Sequence, residues 1–356
     1  MAAIRVLVVD DSPFIRSILK SSLGASPEFE VVGEACDGVE AVAAIQRLRP
    51  DVVTLDVEMP NMNGLGVLER VAGKLPVSFL MVSTLTTRGS GITLEALRRG
   101  AIDFITKPDH GGACGIDFRR ELHAKVKAAC GAKGKVRAIV TGGQEQAPTL
   151  PPCHVRGWLV AIGISCGGPQ TLHQVLPAFP SDFVPILVTQ HMPAGFTKAF
   201  AANLDQACAM RVVEAEEGMK IQRGVIYIAP GSAHLKLRRT GVELRCHLDA
   251  GPRVSGHRPS ADVMMASVAE QWGSRSVGVI MTGMGHDGAE GLGKMAAHGA
   301  WTIAQDEESS IVFGMPKVAI ASGCVNEVLP MQRIPAAIAK CLGKPKPAGA
   351  SSAAQT

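Results

Sequence analysis

The sequence predicts an α/β protein made of two domains, each built around a mostly parallel β-sheet. Short β-branched runs alternate with longer segments of helical periodicity, which is the pattern of repeated strand and helix units in a parallel sheet. A segment at residues 126–156 that is rich in Gly, Pro, Gln and Lys interrupts this alternation, as an interdomain linker would. The chain length of 356 residues agrees, because a domain typically takes roughly 150 residues.

The first predicted domain covers residues 1–125. Its strand patterns are RVLVV, EVVGEA, DVVTLD, FLMV and FIT, which are short runs rich in β-branched and other apolar residues. PFIRSILKSSL and VEAVAAIQRL lie between the first three strands, and their apolar residues repeat with the helical period. Strands and helices that alternate in this way predict a doubly wound parallel sheet.

The second predicted domain covers residues 157–342 and begins with the strand WLVAIGI and a helix from Pro169. Next come the strand FVPILVTQ, a helix from Gly195, the strands RVVEAE and GVIYIAP, and the hairpin-like LKLRRTGVELRC. A helix from Ser260, the strand SVGVIM, a helix from Ala289 and the strand WTIAQ complete the series. This order predicts a second, mostly parallel sheet with a short antiparallel hairpin.

Composition and charge exclude several classes of protein. Hydrophobic residues make up 46% and charged residues 19% of the chain, which is typical of a folded globular protein; only residues 343–356 have the composition of a disordered tail. The longest apolar run, Trp158–Ile164, is far shorter than the ~18 residues of a spanning helix, so we expect no membrane insertion. Basic and acidic residues nearly balance, 14 against 16 in residues 1–125 and 17 against 15 in residues 157–356, which argues against nucleic-acid binding.

Two features predict a cytoplasmic location. The apolar stretch near the N-terminus runs directly into Asp10 and Asp11 and is too short for the core of a signal peptide. The nine cysteines are odd in number, scattered and never spaced as C-x-x-C. This usage indicates reduced thiols rather than disulfides or a zinc site.

Polar residues follow four strands of the first domain. Asp10 and Asp11 follow the first strand, Asp56 ends the third, and Ser83 and Lys107 follow the next two. Ligands bind outside the carboxyl ends of strands in open parallel sheets, and clustered carboxylates repel one another unless a hard cation such as Mg²⁺ joins them. The alternative is that the aspartates only cap helices or end strands.

Together, D-D, LDVEMPNMNG, S and KP resemble the receiver domain of two-component response regulators, a flavodoxin-like fold. The resemblance covers about residues 3–125 and implies that Asp56 accepts a phosphoryl group from a histidine kinase. It also implies a set of Mg²⁺ ligands: Asp10, Asp11, Asp56 and the backbone of Glu58. Lys107 and Ser83 would contact the phosphoryl oxygens, and Phe104 occupies the aromatic switch position, where many receivers carry tyrosine.

Three residues of the second domain also follow strand patterns. Ser165 lies at the turn between WLVAIGI and the next helix, within a G-x-S-x-G match; His191 follows FVPILVTQ, and Asp287 lies in the glycine-rich segment after SVGVIM. A hydroxyl, an imidazole and a carboxylate at one sheet edge are what a serine hydrolase requires. Each also has a structural alternative, as a helix cap or a strand-end residue bonded to the backbone.

Together, GISCGGP, TQHMP, TGMGHDGAEG and PGSAHL resemble the catalytic domain of the chemotaxis protein-glutamate methylesterases, over about residues 156–342. The resemblance implies that Ser165 is the nucleophile, His191 the general base and Asp287 the residue that orients the histidine. The backbone N–H of Met284 would donate to the oxyanion, and His286 would be a neighbour without an assigned role. Cys166 stands where the family commonly has threonine, and a thiol is a weaker hydrogen-bond donor than the threonine hydroxyl.

The resemblance implies an enzyme that hydrolyses glutamate methyl esters on chemoreceptors, releases methanol and also deamidates receptor glutamines. Its partners would be the cytoplasmic helices of the receptors and a histidine kinase, and its catalytic domain would need no cofactor. The receiver would inhibit the catalytic domain until Asp56 is phosphorylated.

Three alternatives remain open from the residues alone. An α/β-hydrolase acting on another ester orders its triad as Ser, acid and His, so a late histidine such as His298 would replace His191. Cys166 could be the nucleophile, if a nearby base lowers its thiol pKa. A non-catalytic module that competes for phosphoryl groups would need Asp56 and not Ser165.

Overall fold

The computed structural model describes residues 2–84, 86–108, 115–135 and 149–343. Its contacts divide the chain into two compact units, Met1–Gln144 and Glu145–Thr356. Residues 136–148 of the predicted linker and 344–356 of the predicted tail lie outside the described residues. Among the described helices, none is long and apolar enough to cross a bilayer.

The first unit alternates strands and helices. Its described elements, in chain order, are β1 (Ile4–Val9), α1 (Pro13–Gly24), β2 (Phe29–Ala35), α2 (Gly38–Leu48), β3 (Val52–Asp56), α3 (Gly64–Val71), β4 (Ser78–Ser83), α4 (Thr87–Arg98), β5 (Asp103–Thr106) and α5 (Ile116–Gly131).

The five strands form one parallel sheet in the order β2-β1-β3-β4-β5. Every residue of β3 and β4 is buried, which explains why these strands are almost continuously apolar in sequence. The chain winds outward from β1 in both directions, so the carboxyl ends of β1 and β3 border the crevice where such sheets bind ligands. The predicted doubly wound fold of this unit is confirmed.

Side-chain caps explain where several helices begin. Asp37 precedes α2, and its Oδ1 accepts from the N–H groups of Val39 and Glu40 at 2.8 and 2.9 Å. Asn63 caps α3 in the same way, through the N–H of Gly66 at 2.9 Å. These side chains satisfy N–H groups that have no partner within the first helical turn.

Helix α5 extends beyond the predicted end of the first domain. We predicted a linker from residue 126, whereas the helix continues to Gly131. Leu122, Val126 and Ala129 are fully buried along it. The apolar stripe that holds this helix on the sheet therefore runs into the segment predicted as linker.

The second unit carries a larger sheet. Its elements, in chain order among the described residues, are β6 (Leu159–Ile164), α6 (Gly168–Val175), β7 (Ile186–Gln190), α7 (Phe196–Asp205), β8 (Arg211–Glu214), β9 (Val225–Ile228), β10 (His234–Thr240), β11 (Glu243–Asp249), α8 (Ala261–Trp272), β12 (Ser276–Ile280), α9 (Ala289–Ala297), β13 (Trp301–Gln305), α10 (Met315–Ala321), β14 (Glu327–Leu329) and α11 (Ile334–Cys341).

Seven of these strands form a parallel sheet in the order β14-β13-β12-β6-β7-β9-β8. The central strands β6, β7 and β12 are buried along their whole length. Strands β10 and β11 form a separate antiparallel hairpin, and the Leu237 N–H of β10 donates to the Ser267 hydroxyl of α8 at 3.0 Å. The predicted parallel sheet with an antiparallel hairpin is confirmed; β14 was missed because three residues are too few for a pattern.

Candidate active site and acidic cluster

Three polar side chains meet at the carboxyl edge of the seven-stranded sheet. Ser165, His191 and Asp287 lie in the loops that follow β6, β7 and β12, which are neighbours in the sheet. Parallel strands end at a common edge, so the strand order brings together residues that are far apart in sequence. We call these three residues the triad.

The turn at Ser165 depends on two glycines. The Ser165 N–H donates to the Thr282 carbonyl at 2.9 Å, and its carbonyl accepts from the Gly168 N–H at 2.8 Å and the Gln190 Nε2 at 2.9 Å. Gly167 has a φ of +77°, and a Cβ at Gly168 would lie 1.9 Å from the Gln190 Oε1. Other residues would strain this turn, which leaves Ser165 partly exposed at the start of α6.

The His191 ring bridges the other two members of the triad. Its Nδ1 lies 3.0 Å from the Ser165 Oγ, and its Nε2 lies 2.7 Å from the Asp287 Oδ2. An ionised carboxylate only accepts hydrogen bonds, so we assign the imidazole proton to Nε2. The lone pair of Nδ1 is then free to accept the proton of the serine hydroxyl.

Asp287 is buried, and four donors hold its carboxylate. Oδ1 accepts from the Ser260 hydroxyl at 2.6 Å and the Asp262 N–H at 3.3 Å; Oδ2 accepts from the Ala261 N–H at 2.6 Å and from His191. Three of these donors belong to the N-terminus of α8, where free N–H groups favour an anion. Burial opposes ionisation, but the hydrogen bonds, led by that from His191, lower the pKa of Asp287 below its ordinary value.

A second carboxyl group, Asp262, lies beside Asp287 and titrates in the opposite sense. Its side chain is buried, and its Oδ1 accepts from the Gly291 N–H at 2.7 Å. Burial raises the pKa of Asp262 to about 6; the charge of Asp287 adds to this rise, and the Gly291 N–H opposes it. When protonated, Asp262 can donate to Asp287, so the pair keeps its negative charge on the carboxylate that faces His191.

Two histidines without a role in the sequence analysis lie next to the triad. His234, from the PGSAHL motif, is buried; its Nδ1 accepts from the Ser260 N–H at 3.1 Å and its Nε2 donates to the Pro252 carbonyl at 2.9 Å. The His257 ring stacks on that of His191, with the centroids 3.8 Å apart. For Ser260, the partner of His234, the only signal in the sequence was the predicted start of a helix. The loop that carries His257 has no periodic pattern and therefore gave no signal.

The backbone next to Met284 lies close to Ser165. A Cβ at Gly283 would lie 2.9 Å from the Ser165 Cβ and 2.2 Å from the Met315 Sδ, so only glycine fits there. The Gly283 N–H donates to the Val312 carbonyl at 3.0 Å. Within the described residues the Met284 N–H has no acceptor, which makes it available to an oxyanion near Ser165.

The structure also places three further residues from the sequence analysis. Cys166 is buried, and His286 is exposed at the turn before α9. His298 follows α9 and precedes β13, so it lies at the opposite edge of the sheet, with Nδ1 2.8 Å from the Lys294 carbonyl. This placement excludes the pairing of Ser165 with His298 that the α/β-hydrolase alternative requires.

The first unit brings an acidic cluster to the carboxyl edge of its sheet. Asp10, Asp11 and Asp56 each offer a carboxylate oxygen, and these oxygens lie within 4.8 Å of one another. The Lys107 Nζ lies 2.9 Å from the Asp10 Oδ2 and 2.8 Å from the Asp56 Oδ2. The sequence analysis named all four residues, and the strand order β1-β3-β4-β5 explains why they meet.

The buried carboxylates of this cluster resist ionisation. Burial, followed by the charge of Asp10, raises the pKa of Asp56 to about 6, and burial also raises the pKa of Asp10. Lys107 partly offsets both shifts. Burial alone would lower the pKa of Lys107, but the neighbouring carboxylates, led by Asp56, raise it, so the ammonium group stays charged.

The other residues predicted for this edge lie around the cluster. Ser83 is buried, and its Oγ accepts from the hydroxyl of Thr93 on α4 at 2.7 Å, a partner that the sequence analysis missed. Phe104 is buried, with the Lys125 Nζ 5.3 Å from its ring centroid. Glu58 is exposed in the turn after β3.

A divalent cation of the Mg²⁺ type suits the acidic cluster. Its donors are carboxylate oxygens, which Mg²⁺ prefers, and they are close enough to share one ion. Asp11 is exposed, which leaves room for the waters that Mg²⁺ retains. Burial and the charge of Asp10 raise the pKa of Asp56 despite Lys107, so a second cation would favour the ionised carboxylate.

Comparisons with known proteins agree with both sites. Residues 160–338 match the family model of the CheB methylesterase, and residues 6–112 match that of the response regulator receiver domain. A Pyrococcus abyssi protein named protein-glutamate methylesterase/protein-glutamine glutaminase is 45% identical over 344 residues, or 95% of this chain and 94% of the relative.

Two proteins of Thermotoga maritima are also similar. A relative with the same name as the Pyrococcus protein is 43% identical over 336 residues, which covers 93% of this chain and 96% of the relative. The crystal structure of the Thermotoga maritima CheB methylesterase catalytic domain covers 53% of this chain and 100% of its own, with a TM-score of 0.52 and 41% identity.

Proposed function

This chain belongs to the CheB methylesterase family, and we propose that it hydrolyses glutamate methyl esters on chemoreceptors and releases methanol. We further propose that it deamidates receptor glutamines and that phosphorylation of Asp56 activates both reactions. The observation that supports the proposal best is the continuous chain of hydrogen bonds from Asp287 through His191 to Ser165, at 2.7 and 3.0 Å.

The first half of the reaction is acylation of Ser165. Its Oγ attacks the carbonyl carbon of the ester while the hydroxyl proton moves to His191 Nδ1. The Met284 N–H donates to the oxyanion that forms, and Asp287 stabilises the positive charge on the imidazole ring. When the tetrahedral intermediate collapses, the bond to the methoxy group breaks, and that group leaves as methanol with the proton from Nδ1.

The second half of the reaction restores the enzyme. His191 Nδ1 takes a proton from water, whose oxygen attacks the acyl carbon, and the glutamate carboxylate leaves as Ser165 regains its proton. A glutamine side chain follows the same two steps and releases ammonia in place of methanol. The partial exposure of Ser165 supports a protein substrate, which must reach the hydroxyl from outside.

We assign phosphoryl transfer to the acidic cluster. Asp56 accepts the phosphoryl group from a histidine kinase, and its contact with Lys107, which also contacts Asp10, supports this role. Lys107 and the Ser83 hydroxyl bind the phosphoryl oxygens. The buried Phe104 is the proposed aromatic switch residue that reports the phosphorylated state.

Mg²⁺ is the proposed cofactor of the acidic cluster. Its ligands would be Asp10, Asp11, Asp56 and the backbone carbonyl of Glu58. When bound, Mg²⁺ supplies positive charge that offsets the negative charge of the phosphodonor. Lys107, which already contacts two of these carboxylates, provides the remaining positive charge from the protein itself.

The decisive experiment measures methanol release from methyl-labelled receptor membranes, with and without acetyl phosphate and Mg²⁺. We expect wild-type protein to release methanol, and to do so faster with the phosphodonor. Ser165→Ala should abolish release because it removes the nucleophile. Cys166→Ala is the matched control at the adjacent residue and should keep most of the activity.

Three results would contradict the proposal. Activity that survives in Ser165→Ala and disappears in Cys166→Ala would make the thiol the nucleophile. Absence of release by wild-type protein whose Asp56 is still phosphorylated would favour a phosphate-accepting module or another ester substrate. An equal rate of methanol release with and without the phosphodonor would refute activation through Asp56.

A further inference from the structure

We propose that His257 is a positioning residue of the esterase reaction, acting through the face of the His191 ring. This inference rests on the proposed function, because it concerns the proposed general base. The two imidazole rings are stacked, with their centroids 3.8 Å apart and their planes only 7° from parallel. Full ring contact at this distance fixes the plane in which both nitrogens of His191 form their hydrogen bonds.

The loop that carries His257 is held at both ends by one side chain. His234 donates from Nε2 to the carbonyl of Pro252 at 2.9 Å, and its Nδ1 accepts from the N–H of Ser260 at 3.1 Å. The buried His234 ring therefore closes the loop between these two residues. Arg258 adds bonds to the carbonyl groups that precede the loop, at 2.9 and 3.0 Å.

The tip of this loop is a tight turn. Val254 and His257 exchange two backbone hydrogen bonds, at 3.0 and 2.9 Å. Ser255 and Gly256 between them both have positive φ, +51° and +81°, as in a type I′ turn. Positive φ is costly for Ser255, so the rest of the loop must stabilise this conformation. A rigid turn supports the His257 ring.

The stack interacts more favourably with charged His191 than with neutral His191. Two neutral aromatic rings disfavour direct face-to-face packing, because their negative faces repel. When His191 takes the proton of Ser165, its ring becomes a cation above the face of His257, and this contact is attractive. An interaction that strengthens as the reaction proceeds lowers the barrier, in addition to holding the ring in place.

The test compares three variants by methanol release at pH 8, where an ordinary imidazole is neutral. His257→Leu removes the flat ring but fills similar volume, and we expect kcat to fall roughly 10-fold to 100-fold with KM nearly unchanged. His257→Phe restores a flat ring without nitrogen atoms, and we expect it to recover most of the wild-type kcat. Thermal unfolding of each variant checks that the fold is intact.

A second readout separates positioning from contact with the receptor. Phenylmethylsulfonyl fluoride is too small to reach the surface that a receptor helix would cover, and it reacts with an activated serine. We expect His257→Leu to slow its reaction with Ser165 by about the same factor as methanol release. A loss of methanol release without slower labelling would mean that His257 binds substrate, and would overturn the inference.

Two further outcomes would refute the proposed role of His257. If His257→Leu keeps the wild-type kcat, the stack has no role in the reaction. If His257→Phe is as slow as His257→Leu, a ring nitrogen rather than the flat face is required, which also refutes the proposal. Failure of the wild-type protein to release methanol would instead refute the proposed function, so the two failures are distinguishable.

Discussion

The two sheets place an aspartate at the same kind of edge, but their surroundings act on it in opposite directions. Asp56 lies beside another buried carboxylate, with a single ammonium group to offset the charge, and its pKa rises to about 6. Asp287 accepts from four donors, and its pKa falls despite stronger burial. At these two sites the hydrogen-bond donors, rather than the degree of burial, account for the opposite directions of the pKa shifts.

This contrast also separates how the two sites are completed. The hydrogen bonds around Asp287 come from the chain itself, so the triad is assembled by folding. The acidic cluster holds three carboxylates against one ammonium group, and the proposed Mg²⁺ would balance the remaining charge. We expect substitutions that disturb the hydrogen bonds to lower the activity of the triad, and removal of divalent metal to impair the acidic cluster.

Among the changes that test this contrast, Asp287→Asn should have the largest effect. All four groups around this carboxylate are donors, two on each oxygen, so the amide nitrogen of asparagine would face two of them in either orientation. We expect methanol release to fall about 1,000-fold to 10,000-fold. Asp262→Asn makes the same chemical change on the neighbouring carboxyl and serves as the matched control; equal losses in both variants would contradict the contrast.

Removal of divalent metal should affect only the first site. We expect EDTA to abolish phosphorylation of Asp56 by acetyl phosphate, and with it the stimulated part of methanol release. The unstimulated rate should change by less than about twofold, because the charge of the triad is balanced within the protein. A rate that falls to zero in EDTA would place a metal requirement in the second unit and break the comparison.

Ser260→Ala should have a moderate effect on both activity and stability. It removes the 2.6 Å bond to Asp287 and the cap of α8, which the same hydroxyl provides to the Val263 N–H. We expect roughly a 10-fold lower rate and a loss of about 1 kcal/mol in the free energy of unfolding. The Ser12 hydroxyl caps α1 by accepting from the Ile15 N–H at 3.5 Å. Ser12→Ala should therefore cost stability without lowering the unstimulated rate; a similar loss of rate there would refute the argument.

The smallest effect should come from Asp262→Asn. The folded-state pKa of Asp262 is about 6 against an ordinary value of 3.8, so the unfolded chain ionises first as pH rises. The free energy of unfolding of wild-type protein should therefore decline between about pH 4 and 6, by on the order of 2 kcal/mol from this group.

Asparagine at position 262 removes only the part of that decline due to Asp262, because it cannot ionise; Asp56, whose pKa is also about 6, keeps its own part. The asparagine oxygen can accept from the Gly291 N–H and its nitrogen can donate to Asp287, so activity should stay within a few-fold of wild type. The measurement is the denaturation midpoint at pH 4 and pH 7 for both proteins. An equal pH dependence in the two proteins would show that Asp262 is not the group responsible.

The sequence could predict the site residues that lie at the carboxyl ends of strands, because ligands bind there in open parallel sheets. Asp10, Asp56 and Ser165 directly follow or end apolar runs, so their place at a sheet edge follows from the parallel fold. Asp287 is seven residues beyond its strand, and the glycine-rich motif was needed to select it. The roles of these residues remain predictions, whereas their mutual distances are observed.

Other parts of the sites depend on tertiary packing that no local pattern encodes. Ser260 was predicted to start a helix, but its second bond, to Asp287, exists only because α8 begins beside the triad. Thr93 lies inside α4 and meets Ser83 through the packing of helix on sheet. The ring orientation of His191, with Nδ1 toward the serine, is likewise set by its neighbours in space.

The strand order of the second sheet has a consequence for how the protein is made. Ser165 follows β6 and His191 follows β7, and the ribosome makes both strands before the rest of the site. Asp287 and the donors of α8 are added about a hundred residues after β6 and β7. A ribosome-bound chain that ends before β12 holds a serine and a histidine without the carboxylate that orients them. The triad is therefore complete only once β12 has paired with β6, which brings Asp287 beside the two residues made before it.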